Sequence, residues 1–256
     1  MIMKTTFAGI PEALSFKETA SIYLQSIPYD GTSTWGKGAD KGFTEFLTAA
    51  ENMELYDIET DSEVFRKGIH ILDPAPTFKS PEEMYQYTLH NTQQLLKEGK
   101  FLTFFGGEHS ISIGIIKAHY QYFENLSILQ IDAHADLRPE YDDTPYNHAC
   151  AVYDASRNSH LVQVGIRSMD IEEKQYEQDG NVFYAHKIQQ NPDWIEKVVS
   201  RLKENVYITF DLDALDPSIM PATGTPEPGG LDWYQTMGLL KEVFSTKNVV
   251  GFDIVE

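Results

Sequence analysis

The mostly apolar run Leu126–Ile131 leads directly into Asp132-Ala133-His134-Ala135-Asp136. A run of this length and character suits a parallel strand covered on both faces. Charged groups at the end of such a strand are costly to bury unless they are paired or hold a cation. Alternate side chains of an extended backbone point the same way, so Asp132, His134 and Asp136 can converge if the extension outlasts the strand. The pattern recurs where Val206-Tyr207-Ile208-Thr209-Phe210 empties into Asp211-Leu212-Asp213. A third apolar run, 101–105, ends in Gly106-Gly107-Glu108-His109-Ser110, whose glycines permit a sharp turn and bring His109 to the same rim. No lysine follows where a phosphate-cradling loop would need one.

Strands are predicted over residues 21–27, 53–58, 101–105, 126–131, 160–166, 182–185, 206–210 and 249–255. Helices alternate with many of them. Ser80-Pro81-Glu82-Glu83 supplies an N-cap, a proline in the first turn and a capping glutamate, and Gly99 closes that helix. Asn191-Pro192 begins another that runs to about Leu202, and Asp232 with Gln235 begins a third that runs to about Phe244. Strands alternating with helices imply right-handed crossovers and a mostly parallel sheet. In such sheets ligands bind outside the carboxyl ends of the strands, which is where these carboxylates fall. A length of 256 residues suits one α/β domain, and no linker or repeat divides it.

A formal net charge of −19 argues against nucleic acid or an anionic membrane as a partner and is compatible with a cationic substrate. With Cys150 alone, no intrachain disulfide is possible. The first residues lack the apolar core of a signal peptide, and no window has the continuous apolar length of a membrane helix, so a cytoplasmic protein is expected.

The candidate ligands are His109, Asp132, His134, Asp136, Asp211 and Asp213. Four carboxylates and two imidazoles exceed one closed zinc site, which takes four ligands. They suit two adjacent ions with shared carboxylates, and an oxygen-rich set favours manganese over zinc or copper. Two ions about 3.5–4 Å apart lower the pKa of a shared water, so metal-assisted hydrolysis is the expected reaction class.

Gly106-Gly107-Glu108-His109-Ser110, Asp132-Ala133-His134-Ala135-Asp136, Asp211-Leu212-Asp213-Ala214-Leu215-Asp216-Pro217, Gly224-Thr225-Pro226 and Gly251-Phe252-Asp253-Ile254-Val255-Glu256 occur in an order that closely resembles the ureohydrolases, the arginases and agmatinases. The resemblance implies a three-layer α/β/α sandwich on an eight-stranded sheet and two Mn2+ ions. It implies that His109 and Asp136 hold one ion, His134 and Asp213 the other, and that Asp132 and Asp211 bridge both. His148 matches a proton-shuttling histidine of the family, and Glu256 a glutamate that receives the guanidinium group. Glu108 stands where an aspartate is commoner. Asp136 is then a plausible proton carrier to the leaving amine, with His148 exchanging protons with solvent near neutrality.

The Leu137-Arg138-Pro139-Glu140-Tyr141 stretch and the later His148-Ala149 resemble bacterial and archaeal agmatinases rather than arginases, as does Pro28-Tyr29-Asp30-Gly31. Agmatine is therefore the expected substrate, with Glu140, Asp142 and Asp143 at the mouth of the site. Arginine, guanidinobutyrate and a non-catalytic role are the alternatives; Arg138 either meets a substrate carboxylate or sits in a surface ion pair. The family continues past its guanidinium-binding glutamate with a loop and a closing helix. Residues 1–256 are thus expected to form a single domain without that helix, less covered beside its last strand. Trimers or hexamers are also implied. His70, His90, His119, His160 and His186 read as packing or surface residues, Cys150 as buried filler, and Tyr120, Tyr122 and Phe123 as core. Trp35 is assigned either to the substrate entrance or to a subunit contact.

Overall fold

The computed structural model describes residues 6–256. Eight strands form one sheet: β1 (Ile22–Ile27), β2 (Ile69–Ile71), β3 (Phe101–Gly106), β4 (Leu126–Ile131), β5 (His160–Ile166), β6 (Val182–Tyr184), β7 (Asn205–Asp211) and β8 (Asn248–Val255). Their order across the sheet is β2-β1-β3-β8-β7-β4-β5-β6, and every pairing is parallel. The chain leaves β3, skips two positions to lay down β4, and returns at the end to fill the gap with β7 and β8. All carboxyl ends therefore share one rim, and those of β3, β8, β7 and β4 are consecutive along it.

Strand alternation sorts side chains into two cores, as a sheet covered on both faces requires. Phe104, Ile128 and Tyr207 pack on one face with Met84, Leu95 and Ile115 from helices α2 (Pro81–Leu96) and α3 (Ser112–Tyr122). Leu129, Ile131 and Ile208 pack on the other with Trp194, Val198, Leu239 and Val243 from α6 (Trp194–Arg201) and α7 (Trp233–Thr246). A third cluster lies under α1 (Gly42–Ala50), where Phe43 and Phe46 meet Phe105. Two short helices, α4 (Tyr153–Asn158) and α5 (Ala185–Ile188), lead into β5 and follow β6 respectively.

Two of the three helix-start signals are realised. Ser80 Oγ accepts from Glu83 N at 3.2 Å, and Asp232 and Gln235 cap each other reciprocally at 2.7 and 3.0 Å. The helix predicted from Asn191 begins at Trp194, because Asn191 Oδ1 accepts from Asp193 N instead and forms a turn.

The predicted strand 53–58 is incorrect. Met53, Tyr56 and Ile58 are exposed, and Asp57 folds that segment back on itself by accepting from Glu59 N and Thr60 Oγ1 and by pairing with Ser62. The edge strand is β2 instead, three residues too short to register as a pattern. Tyr122, expected in the core, is about half exposed at the end of α3.

Helices α2 and α3 approach closely at Gly114. A Cβ there would sit 2.7 Å from Leu89 N and 2.8 Å from Tyr85 O, both backbone atoms that cannot rotate away. Gly114→Ala is expected to destabilise the fold by about 1–3 kcal/mol through overpacking, read as a lower urea midpoint. An unchanged midpoint would show that these helices separate freely and that the contact is not a constraint.

Candidate functional site

At the rim, the extension beyond β4 persists: Arg167 N and Ser168 N donate to Ala133 O, and Ala135 N donates to Ser168 O. Asp132 and His134 consequently project to the same side. At Asp136 the chain turns with φ 51°, a left-handed conformation that aspartate tolerates better than most residues. Beyond β7, Asp211 Oδ1 accepts from Asp213 N at 2.9 Å, and Asp213 Oδ1 accepts from Ala133 N at 3.1 Å, which ties the two ligand loops together. Arg167 holds the Asp213 loop from behind, donating to the carbonyls of Asp213, Ala214 and Glu227.

His109 Nδ1 faces carboxylate oxygens of Asp132, Asp136 and Asp211 at 3.0, 3.1 and 3.4 Å. His134 Nδ1 faces Asp213 at 3.0 Å and Asp132 at 3.7 Å. Asp132 presents Oδ2 to the first histidine and Oδ1 to the second, so the two donor groups share it. All six predicted candidate ligands are thus brought together, and all are buried except the partly exposed His134.

The donor set can be tested against a cation. Ser112, Tyr207 and Thr209 converge on the fully buried Asp253, which as a carboxylate accepts from all three hydroxyls. A Thr209 hydroxyl that donates to Asp253 must accept from His109 Nε2–H, 2.8 Å away. His109 then turns a bare Nδ1 lone pair toward three carboxylates, and this buried atom has no hydrogen-bond partner. Lone pairs facing carboxylates repel unless a cation lies between them. Buried imidazole nitrogens and carboxylate oxygens without a thiolate fit two neighbouring divalent ions with a preference for oxygen ligands.

Without an ion, protons take that role. Burial opposes charge on both histidines, yet Asp132 and Asp136 hold His109 well above its usual pKa, and Asp132 and Asp213 raise His134 to about 11. Burial and then Asp132 push Asp136 up to about 7, and burial with Asp213 and Asp132 pushes Asp211 well up. Glu256 is raised to about 7, mainly by burial. His148 moves the other way, to about 4, through burial and the positive charge of His109 and His134. The expectation of near-neutral titration at His148 is therefore corrected: it is a neutral base at pH 7.

His109, His134, Asp136 and Asp211 floor a cavity of about 310 Å³ lined also by His148, Glu256, Arg138, Tyr141, Asp170 and Thr225 among others. Glu256 N donates to Gly107 O at 3.0 Å, and Glu256 Oε2 accepts from Gly224 N at 2.7 Å. A Cβ at Gly224 would collide with that carboxylate, so glycine permits the approach. Glu140, Asp142 and Asp143, expected at the mouth, are exposed and lie outside the cavity lining. Asp170 and Glu173 supply its wall carboxylates instead. They follow β5, whose carboxyl end adjoins that of β4, so the strand-end rule could have found them. Arg138 lies 3.7 Å from each of these carboxylates and stacks over Tyr141 at 4.8 Å.

Comparison with known proteins bears on this rim directly. The model of the arginase family matches residues 20–256. The chain belongs to the arginase family of ureohydrolases. It is 37% identical over 243 residues to the N(1)-aminopropylagmatine ureohydrolase of Thermus thermophilus, covering 93% of this chain and 83% of that protein. It is 30% identical over 244 residues to the agmatinase of Pyrococcus horikoshii, again covering 93% and 83%. The agmatine ureohydrolase structure of Thermoplasma volcanium superposes with a TM-score of 0.87 at 28% identity, covering 98% of this chain and 85% of that one. As a family member the chain is a hydrolase acting on guanidino groups, on an arginase-like α/β fold.

Linkage gives the site a pH signature. In the folded ureohydrolase without metal, Asp136 and Glu256 hold protons up to about pH 7 and His134 up to about 11. Their unfolded counterparts release them near the ordinary values of roughly 4 and 6.5. Each folded pKa is raised, so each contribution is complete below the unfolded value and lost as pH rises through the folded one. His148, with a lowered pKa, has the opposite slope, but only below about 6.5. In chelator the melting temperature is therefore expected to fall between pH 6.5 and 8, and added Mn2+ to raise it most at pH 8. A melting temperature that climbs with pH in chelator would contradict this charge arrangement.

Proposed function

We propose that the chain is a binuclear manganese hydrolase that cleaves the guanidinium group of agmatine to give putrescine and urea. The observation that carries this reading is the pair of donor groups sharing Asp132, whose His109, His134 and Asp211 line a cavity that Glu256 also lines. His109 and Asp136 would hold one ion and His134 and Asp213 the other, with Asp132 and Asp211 available to both. When bound, two such ions supply Lewis-acid polarisation and a water of lowered pKa.

The chain's own groups account for the rest. A guanidinium stays cationic at any biological pH. Glu256 binds it through charge-assisted hydrogen bonds, because Gly224 N occupies Oε2 and leaves Oε1 to accept from the substrate. The substrate's charge keeps this buried carboxylate ionised where, alone, it would be half protonated near pH 7. Cleavage of the C–N bond requires a proton on the departing amine, and Asp136, which lines the cavity, is placed to pass one to it. His148, neutral on the cavity wall, accepts protons and passes them to solvent.

The wall favours a tail without a carboxylate. Arg138, a cation that could have paired with one, already faces Asp170 and Glu173. A carboxylate of arginine or guanidinobutyrate would have to compete with these two for Arg138. A second reading, N(1)-aminopropylagmatine, is favoured by the name of the relative at 37% identity and by Asp170, whose partly exposed carboxylate on the wall suits a longer cationic tail.

Urea release should be measured in parallel from agmatine, N(1)-aminopropylagmatine, arginine and guanidinobutyrate, with Mn2+ and after chelation. Manganese-dependent turnover of agmatine is expected, with arginine and guanidinobutyrate poorer by at least about two orders of magnitude in kcat/KM, the cost of burying an unpaired carboxylate. Glu256→Gln should lower kcat/KM by a similar factor. Preference for N(1)-aminopropylagmatine selects the second reading, preference for a carboxylated substrate sinks both, and undiminished turnover in chelator removes the metal.

A further inference from the structure

Glu108 is fully buried, is not among the candidate ligands, and follows the two glycines that end β3. Gly107 lets the turn lie against the backbone of Tyr29, where any Cβ would collide, and Glu108 N donates to Tyr29 O at 2.9 Å. That contact brings the loop after β1 directly over the Glu108 side chain. Glu108 Oε1 then accepts from Thr32 N at 3.1 Å, from Thr32 Oγ1 at 2.8 Å and from Ser110 Oγ at 2.9 Å, while Oε2 accepts from Ser110 N at 2.8 Å. Two of these four donors are backbone N–H groups, which cannot reverse direction, and a carboxylate satisfies all four.

A hydroxyl has one proton to give and two lone pairs to receive with. The Thr32 proton goes to Glu108. Its lone pairs meet His148 twice: the backbone N of His148 lies 3.0 Å from Thr32 Oγ1, and His148 Nδ1 lies 3.2 Å from it. The backbone N–H can only donate. With its proton already committed, Thr32 can only accept from the ring as well.

We infer that Glu108 and Thr32 are positioning residues that lock the His148 ring as its Nδ1–H tautomer, leaving Nε2 as the bare proton acceptor. The relay runs Glu108 to Thr32 to His148 and joins three segments: the turn after β3, the loop after β1, and the 3-10 turn His148–Cys150. It rests on the reading of His148 as a proton carrier only for its effect on rate; the tautomer itself follows from hydrogen-bond directions. An imidazole free to exchange tautomers would present N–H rather than a lone pair to the cavity for part of the time, and in that form could not accept a proton.

The test combines spectroscopy with kinetics on Thr32→Val, which keeps the volume without the hydroxyl, and Thr32→Ser, which keeps the hydroxyl. Long-range 1H–15N correlation spectra of the chain loaded with diamagnetic Zn2+ should show His148 protonated at Nδ1 in the wild type and in Thr32→Ser, and mixed in Thr32→Val. With Mn2+ and agmatine, or whichever guanidino substrate proves best, Thr32→Val should lose about tenfold or more in kcat, part of what a positioned acid–base group contributes, with KM little changed. Thr32→Ser should recover that loss. A wild-type ring protonated at Nε2 overturns the proposal, and so does a Thr32→Val chain with the wild-type tautomer. His148→Asn is the separate control: if it leaves kcat unchanged while the wild-type ring is protonated at Nδ1, the relay stands and the proton-carrier reading of His148 fails.

Discussion

Five carboxylates gathered around His109 and His134 at one end of a sheet constitute the constraint on which the rest of the structure depends. Asp132, Asp136, Asp211, Asp213 and Glu256 are mostly buried, and burial and mutual repulsion push three of them toward the neutral form. Desolvating one unpaired carboxylate costs several kcal/mol, so a fold of ordinary stability could not hold five without compensating positive charge. That charge comes from protons on two histidines or from cations in their place. The same lone pairs serve both, so metal binding and protonation compete.

Neutralisation alone would not set the geometry. The surrounding backbone does that by spending its N–H groups on the carboxylates: His134 N on Asp132, Ala133 N on Asp213, Asp213 N on Asp211, and Gly224 N on Glu256. Each bond occupies one lone pair and aims the remainder inward. Behind His109, the hydroxyls of Thr209, Tyr207 and Ser112 close on Asp253, which itself lies within β8. Parallel pairing in the order β3-β8-β7-β4 is what permits this, because it aligns four carboxyl ends without an intervening strand.

Local residues carried much of this in the sequence. Apolar strands covered on both faces read clearly because both faces demand the same residue types, and the ligands were legible because charge at such strand ends has few structural explanations. Position in the chain said less about partners. β2 has three residues and no pattern of its own; it is a strand because β1 offers an open edge after the left-handed turn at Gly68. The segment 53–58 has the apolar content of a strand, but the Asp57 side chain closes it into a turn. Asp170 and Glu173 were missed because they lie in a turn, where only the fold reveals that β5 abuts β4. The near-neutral pKa expected of His148 failed because burial, and then the charges of His109 and His134, appear only once the rim is assembled.

A division of labour follows from which elements bear which groups. The candidate ligands sit at or just beyond strands of the sheet centre, where backbone N–H groups hold Asp132, Asp213 and Asp211. The groups facing the cavity come from longer connections: Thr34 from the loop after β1, Arg138 and His148 from the segment after β4, Asp170 after β5, and Thr225 after β7. Such loops exchange side chains without moving the sheet, so one hydrolytic centre can serve guanidino compounds with different tails. Thr32 and Glu108 cross that division. They tie a loop-borne histidine to the rigid turn that presents His109, so under our proposal His148 keeps its aim even where the substrate-facing surface varies.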